Sequence, residues 1–101
     1  MQEKTHQAIL IESKDNVAVA IENLEKSSQV VVKGKDYFTV KLLESVKFGH
    51  KFATRPILAG DKIIKYGHII GIALENIEIG QHVHDHNIGG TRGRGDLNKS
   101  Q

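Results

Sequence analysis

Three of the six histidines in this 101-residue chain fall in one short stretch, "GQHVHDHN", as His82, His84 and His86. If the stretch is extended, residues two apart share a face, with Cα atoms about 6.6 Å apart at a rise of roughly 3.3 Å per residue. Imidazoles at that spacing can converge on one divalent ion, and imidazole suits Fe, Zn, Ni and Cu. Ligands from one strand leave a coordination shell incomplete, so an ion held there would need further ligands or a chelating substrate. Asn87 follows and could orient a substrate carboxylate or hydroxyl. The spacing alone also fits an edge strand that uses polar residues to discourage pairing with other chains.

A second cluster is "KFGHKFATR", residues 47–55. Read as a strand, it puts Val46, Phe48, His50 and Phe52 on one face and Lys51 on the other. His50 would then sit among hydrophobes, as a neutral base, a ligand or a satisfied core histidine. "KYGHIIG" reads as a tight hairpin, because no helix follows to supply the amides of a phosphate loop. In "GTRGRGD" the arginines Arg92 and Arg94 could clamp an anion or belong to a flexible basic tail. No serine sits in a nucleophile elbow.

The rest of the composition narrows the class. With 39% hydrophobic and 26% charged residues, the chain is an ordinary globular domain. It has no cysteine, which removes thiol catalysis, zinc–cysteine sites and disulfides. A net charge of +2, without interleaved aromatic platforms, does not point to nucleic acid. No apolar run approaches the roughly 18–20 residues of a membrane span, and no secretory leader is visible, so a cytoplasmic protein is expected.

Strand signals position these residues. Apolar runs at 6–11 and 16–21 flank a turn, and 29–33 and 37–43 flank "GKD", a three-residue hairpin candidate. Runs at 62–66 and 68–74 lie either side of Gly67, and only 20–27 has helical character. Three segments repeat a pattern: Ala20, Leu24, Ser27, Val30; Ala53, Ile57, Gly60, Ile63; and Ala73, Ile77, Gly80, Val83. Their starts are 33 and 20 residues apart, which is no fixed-period solenoid. One strand–turn unit used three times is the physical reading. The expected organisation is a domain over 1–88 and a Gly/Arg-rich flexible tail over 89–101, directed towards or onto a partner.

Taken together, "VKFGHKFATRPILAGDKIIKYGHIIGIALENIEIGQHVHDHN" and the following "GGTRGRGD" resemble one family. They are similar to the N-terminal domain, or separately encoded small subunit, of altronate dehydratases. The combination Gly49-His50-Lys51, Lys65-Tyr66-Gly67 and His84-x-His86-Asn87 carries the likeness, strongest over 46–96. The resemblance implies a mostly β fold: a small β-clip (SAF, antifreeze-like) domain with short helical turns. It implies a hydro-lyase that turns a hexonate into a 2-keto-3-deoxy acid, with a divalent metal, Fe2+ or Mn2+, and a large catalytic lyase subunit.

On that basis His84 and His86 are expected as metal contacts, and His50 and Lys51 as catalytic. Asn87, Arg92 and Arg94 are expected to meet the sugar-acid substrate, and Lys51 to pair with its carboxylate. The position of His82 looks less fixed in the family pattern. The chain is read as a small subunit, inactive alone, with weak homodimerisation expected when isolated. Two alternatives stand beside this: a stand-alone SAF module binding carbohydrate or protein without catalysis, and the small subunit of a sulfolactate sulfo-lyase.

Overall fold

A computed structural model describes residues 6–90. Among them every regular element is a strand: β1 (His6–Ile9), β2 (Val17–Ala20), β3 (Gln29–Lys33), β4 (Tyr37–Lys41), β5 (Lys51–Ala53), β6 (Lys62–Lys65), β7 (His68–Ala73), β8 (His82–Val83) and β9 (Ile88–Gly89). Six form one sheet in the order β4-β3-β1-β2-β5-β8, and three form a second in the order β6-β7-β9. Among the described residues only β1 and β3 pair in parallel. The mostly β reading holds, and both expected hairpins form: Lys33 pairs with Tyr37 around 34–36, and Lys65 with His68 around Tyr66-Gly67.

The internal repetition is real and has four copies. Residues 42–50 repeat the pattern of 20–28, 53–61 and 73–81. Each copy leaves a strand, buries one aliphatic anchor at its fifth position (Leu24, Val46, Ile57 or Ile77, all 1–2% exposed), and then turns with positive φ. The turn residues are Ser27, Gly49, Gly60 and Gly80, at φ 74°, 84°, 92° and 88°. The copies work in crossed pairs. Leu24 and Val46 exchange amide-to-carbonyl bonds of 2.8 and 2.9 Å, and Ile57 and Ile77 exchange bonds of 2.9 and 2.7 Å. Fully burying such a side chain stabilises by about 1.5–3 kcal/mol.

The helical character expected over 20–27 is not realised, and no short helical turn occurs among the described residues. Ala20 and Leu24 sit four apart because Leu24 is an anchor bridging to Val46, and left-handed Ser27 stops any helical continuation. Cross-chain pairing overrides a weak local propensity. Two cores result. Leu24, Val46, Phe52 and their neighbours form one; Ile57, Ile77, Ala53 and Val83 belong to the other. β5 is the seam, with Phe52 in the first core and Ala53 in the second.

Candidate metal centre

The site is built where β5 meets β8. These strands pair antiparallel, Lys51 with Val83 and Phe52 with His82. One residue beyond, His50 comes opposite His84, and their rings stack with centroids 4.0 Å apart. His50 reaches this position because left-handed Gly49 reverses the chain just before it. The continuous strand face expected through Val46, Phe48, His50 and Phe52 is therefore absent. Phe48 is 67% exposed, and His50 lies against histidines instead of hydrophobes.

The extended run expected over 82–86 also stops early, at Val83. Residues 84–87 turn, and Asn87 sets that turn. Its Oδ1 accepts the His84 amide at 2.9 Å, and its Nδ2 donates to the His82 carbonyl at 2.8 Å. The Asn87 amide and the Ile88 amide both donate to the His84 carbonyl. Asn87 is 0% exposed. Expected to face substrate, it instead spends both side-chain polar atoms on the backbone between the histidines. Beside it, the His82 amide donates to Glu44 Oε1 at 2.9 Å.

The result is a set of three imidazoles, His50, His82 and His84, with one ligand atom each, all within 4.8 Å of one another. His50 Nδ1 and His82 Nε2 face each other at 2.9 Å. His84 Nδ1 is buried and has no hydrogen-bond partner, an orphan of the kind that calls for a ligand. Tetrahedral ligands of one ion at metal–nitrogen distances of about 2.1 Å lie about 3.4 Å apart, so the widest pair of the set would close in by up to about 1.4 Å on binding. His86 is exposed and stands outside it, with its ring 5.3 Å from that of His82 and tilted 37°.

The electrostatics favour neutral rings at His50 and His82. Partial burial lowers the pKa of His50, and the charges of His84, Lys51 and Lys47 push the same way against Asp85. Burial also lowers His82, helped by His50, His86 and His84 and opposed by Glu44. A neutral imidazole is the form that binds a metal. Lys51, half-buried on β5, has its ammonium held below the usual lysine range by burial and by the charge of Lys65, against Asp85. A shallow cleft of about 170 Å³ elsewhere, lined by Lys35, Asp36, Phe38 and Arg55 among others, contains none of the histidines. Arg92 and Arg94 lie outside the described residues.

Sequence reading undervalued His82 and missed the fourth repeat. The signal was present: Leu42, Val46, Gly49 and Phe52 have the spacing of the other copies, hidden because the copy begins with Leu instead of Ala. Superposing it on 73–81 puts His50 at the position of Gln81, immediately before His82.

Fold and site together define a small domain, all-strand among the described residues, whose two halves meet over a histidine cluster. The chain belongs to the altronate/galactarate dehydratase SAF-domain family, whose profile matches residues 6–91. It is 48% identical over 81 residues to the altronate dehydratase of Escherichia coli K12, covering 80% of this chain and 16% of that protein. Against the altronate dehydratase of Bacillus subtilis it is 37% identical over 79 residues, 78% of this chain and 15% of that one. The subunit alpha of (2R)-sulfolactate sulfo-lyase from Paracoccus pantotrophus is 38% identical over 58 residues, 57% of this chain and 87% of that protein. The chain thus spans about a sixth of the altronate dehydratases it matches.

Proposed function

We propose that this chain is the small subunit of an altronate dehydratase-like enzyme, contributing a metal- and substrate-binding face to a site shared with a large catalytic lyase subunit. The observation that carries the reading is the three-histidine set at the β5–β8 seam beside Lys51, in a family of sugar-acid dehydratase domains. Two further facts support it. Five-sixths of the matched altronate dehydratases lie outside this domain, and a relative of which 87% aligns with this chain is named as a subunit.

The reaction removes the proton beside the hexonate carboxylate and the hydroxyl on the next carbon, which together leave as water. The enol left behind becomes the 2-keto-3-deoxy acid. A divalent ion, Fe2+ or Mn2+, would supply the positive charge that steadies the developing enolate and eases loss of the hydroxyl. His50, His82 and His84 would hold it as neutral donors, with His86 at the exposed rim. Lys51 pairs with the substrate carboxylate, and Arg92 and Arg94 add contacts from the tail. Asn87 keeps the 84–87 turn closed so that His84 stays against His50. The setting is cytoplasmic sugar-acid metabolism.

The test is dehydration of D-altronate by the chain co-expressed with a large lyase subunit. His84→Ala with the fold intact is expected to lower kcat at least 100-fold. Retention of wild-type activity in that variant, or in a complex stripped of metal, would remove the reading.

A further inference from the structure

The cleft of about 170 Å³ that contains none of the histidines opens at the far end of β5. His50 stands just before that strand, and Thr54 and Arg55 stand just after it. Three separate pieces of backbone wall the cleft. Leu10 and Ser13 come from the turn after β1. Lys35, Asp36 and Phe38 come from the β3–β4 hairpin, and Thr54 and Arg55 close the third side.

These walls are tied to one another. The Leu10 amide donates to the Lys33 carbonyl at 2.9 Å. The hairpin presses so close that a Cβ at Gly34 would lie 2.5 Å from the Leu10 carbonyl oxygen. The Thr54 amide donates to the Asn16 carbonyl at 3.0 Å. Asp15, 1% exposed, latches the turn between: its carboxylate accepts the amides of Glu12 at 3.0 Å, Tyr66 at 3.0 Å and Gly67 at 2.8 Å. The cleft is therefore formed before any ligand arrives, as small-molecule sites mostly are.

Its polar side chains are short of partners. Arg55 Nη2 donates to the Ser13 carbonyl at 3.0 Å, which steadies the guanidinium and leaves the rest of its fork unbonded among the described residues. Among those residues neither Arg55 nor Lys35 has a carboxylate within 4.0 Å, Asp36 included. Nor do the Ser13 and Thr54 hydroxyls or the Asp36 carboxylate hydrogen-bond to any described residue. Phe38, 39% exposed, and buried Leu10 supply the apolar part of the lining.

That pattern selects a ligand. A steadied guanidinium with free donors is the group that takes a carboxylate through two parallel bonds. Two cations and one acid leave the lining with a single positive charge, which matches a monoanion and opposes a phosphate dianion. Ligand hydroxyls would satisfy Ser13, Thr54 and Asp36, which a plain aliphatic acid would strand by excluding water. The carbon backbone of such a ligand can lie against the Phe38 ring.

We infer that this cleft is a second ligand site, separate from the histidine seam, for a small polyhydroxylated monocarboxylate, with Arg55 as its carboxylate contact. The choice of hexonates as probes rests on the sugar-acid reading; the cleft and its charge pattern do not.

The test is calorimetric titration of the full, metal-free chain at low ionic strength with D-gluconate and, separately, D-altronate. At least one should bind, while hexanoate and the neutral polyol D-altritol bind about tenfold more weakly or not at all. Hexonate binding should weaken about tenfold or more in Arg55→Met, and be unchanged in His84→Ala. Lys35→Met, on the exposed hairpin and clear of the Ser13 bond, should weaken it about threefold or more with the fold intact. Binding of neither hexonate, indifference to both Arg55→Met and Lys35→Met, or equal binding of hexanoate or altritol would each overturn the site. Dependence on His84 with indifference to Arg55 would do so too, by placing the sugar acid at the seam. Dehydration by the co-expressed complex alongside Arg55-indifferent binding sinks the cleft alone. Arg55-dependent binding to a chain whose complex dehydrates nothing sinks the proposed function and leaves the cleft standing.

Discussion

In the first half of the molecule residues 20–28 cross residues 42–50; in the second, 53–61 cross 73–81. The anchors, the left-handed turns and the crossing bonds recur in both halves. Even the fourth position of each copy is shared in function: Asn23, Ser45 and Asn76 each accept an amide from the opposite copy, and only Pro56 departs. What does not recur is the residue just after each turn: Ser28, His50, Asp61 and Gln81. The repeated residues build the frame, and the unrepeated ones, His50, His82 and His84, gather where the halves meet. A frame that already brings two strands together at a seam needs few changes to acquire a ligand set there.

The sharpest way to break this comparison is to make the same substitution at equivalent turns. A Cβ at Gly80 would lie 2.3 Å from the Lys41 carbonyl oxygen, because here the second half seats on the first. At Gly60, with similar φ, a Cβ meets nothing within 4 Å. Gly80→Ala should cost about 3 kcal/mol or more through clash and backbone strain, and Gly60→Ala only about 1 kcal/mol. Urea denaturation of the two variants reads the difference, and equal losses would mean that the halves are not seated as described.

Asp15→Ala comes next. It strands three amides that now share one buried carboxylate, and a loss of about 2–3 kcal/mol is expected by the same measurement. A loss below about 0.5 kcal/mol would show that the β6–β7 turn holds without its latch.

The histidine seam should also give the metal-free chain a pH-dependent stability. The folded-state pKa values of His50 and His82 lie below the ordinary 6.5, mainly through burial. The unfolded chain therefore takes up these protons first as the pH falls. The contribution is complete above about pH 6.5 and is lost as the pH drops through the lowered folded-state values. Replacing both residues with Gln should flatten the Tm profile in that window. An unchanged slope would mean that the rings are not held neutral by the fold. The smallest effect is expected for Tyr66→Asn: the left-handed turn suits Asn better, so stability should stay within about 1 kcal/mol of wild type or rise. A larger loss would mean that the Tyr66 ring packs more than its half-exposed position suggests.

Much of the frame was legible in sequence because strand formation, hairpin turns and anchors follow local patterning. "GKD" and "KYGH" read as hairpins on their own residues, and three repeats showed in a shared spacing. The helical reading of 20–27 failed because an i, i+4 aliphatic pair looks the same whether it lines a helix or belongs to a strand-and-anchor unit. The site was legible only in its parts. His50 and His84 were visible as separate candidates, but their contact depends on β5–β8 register across more than thirty intervening residues. His86 looked equivalent to His84 because alternation was extended past Val83, where Asn87 bends the chain instead.

The central claim is that His50, His82 and His84 make one metal site across the seam, with His86 outside it. Calorimetric titration of the metal-free chain with Zn2+, as a probe of the imidazole set, tests it most directly. One ion per chain should bind, with affinity falling at least tenfold on Ala replacement of His50, His82 or His84 and changing little in His86→Ala. Failure of the wild-type chain to bind, or dependence on His86 with indifference to His50, would contradict the account.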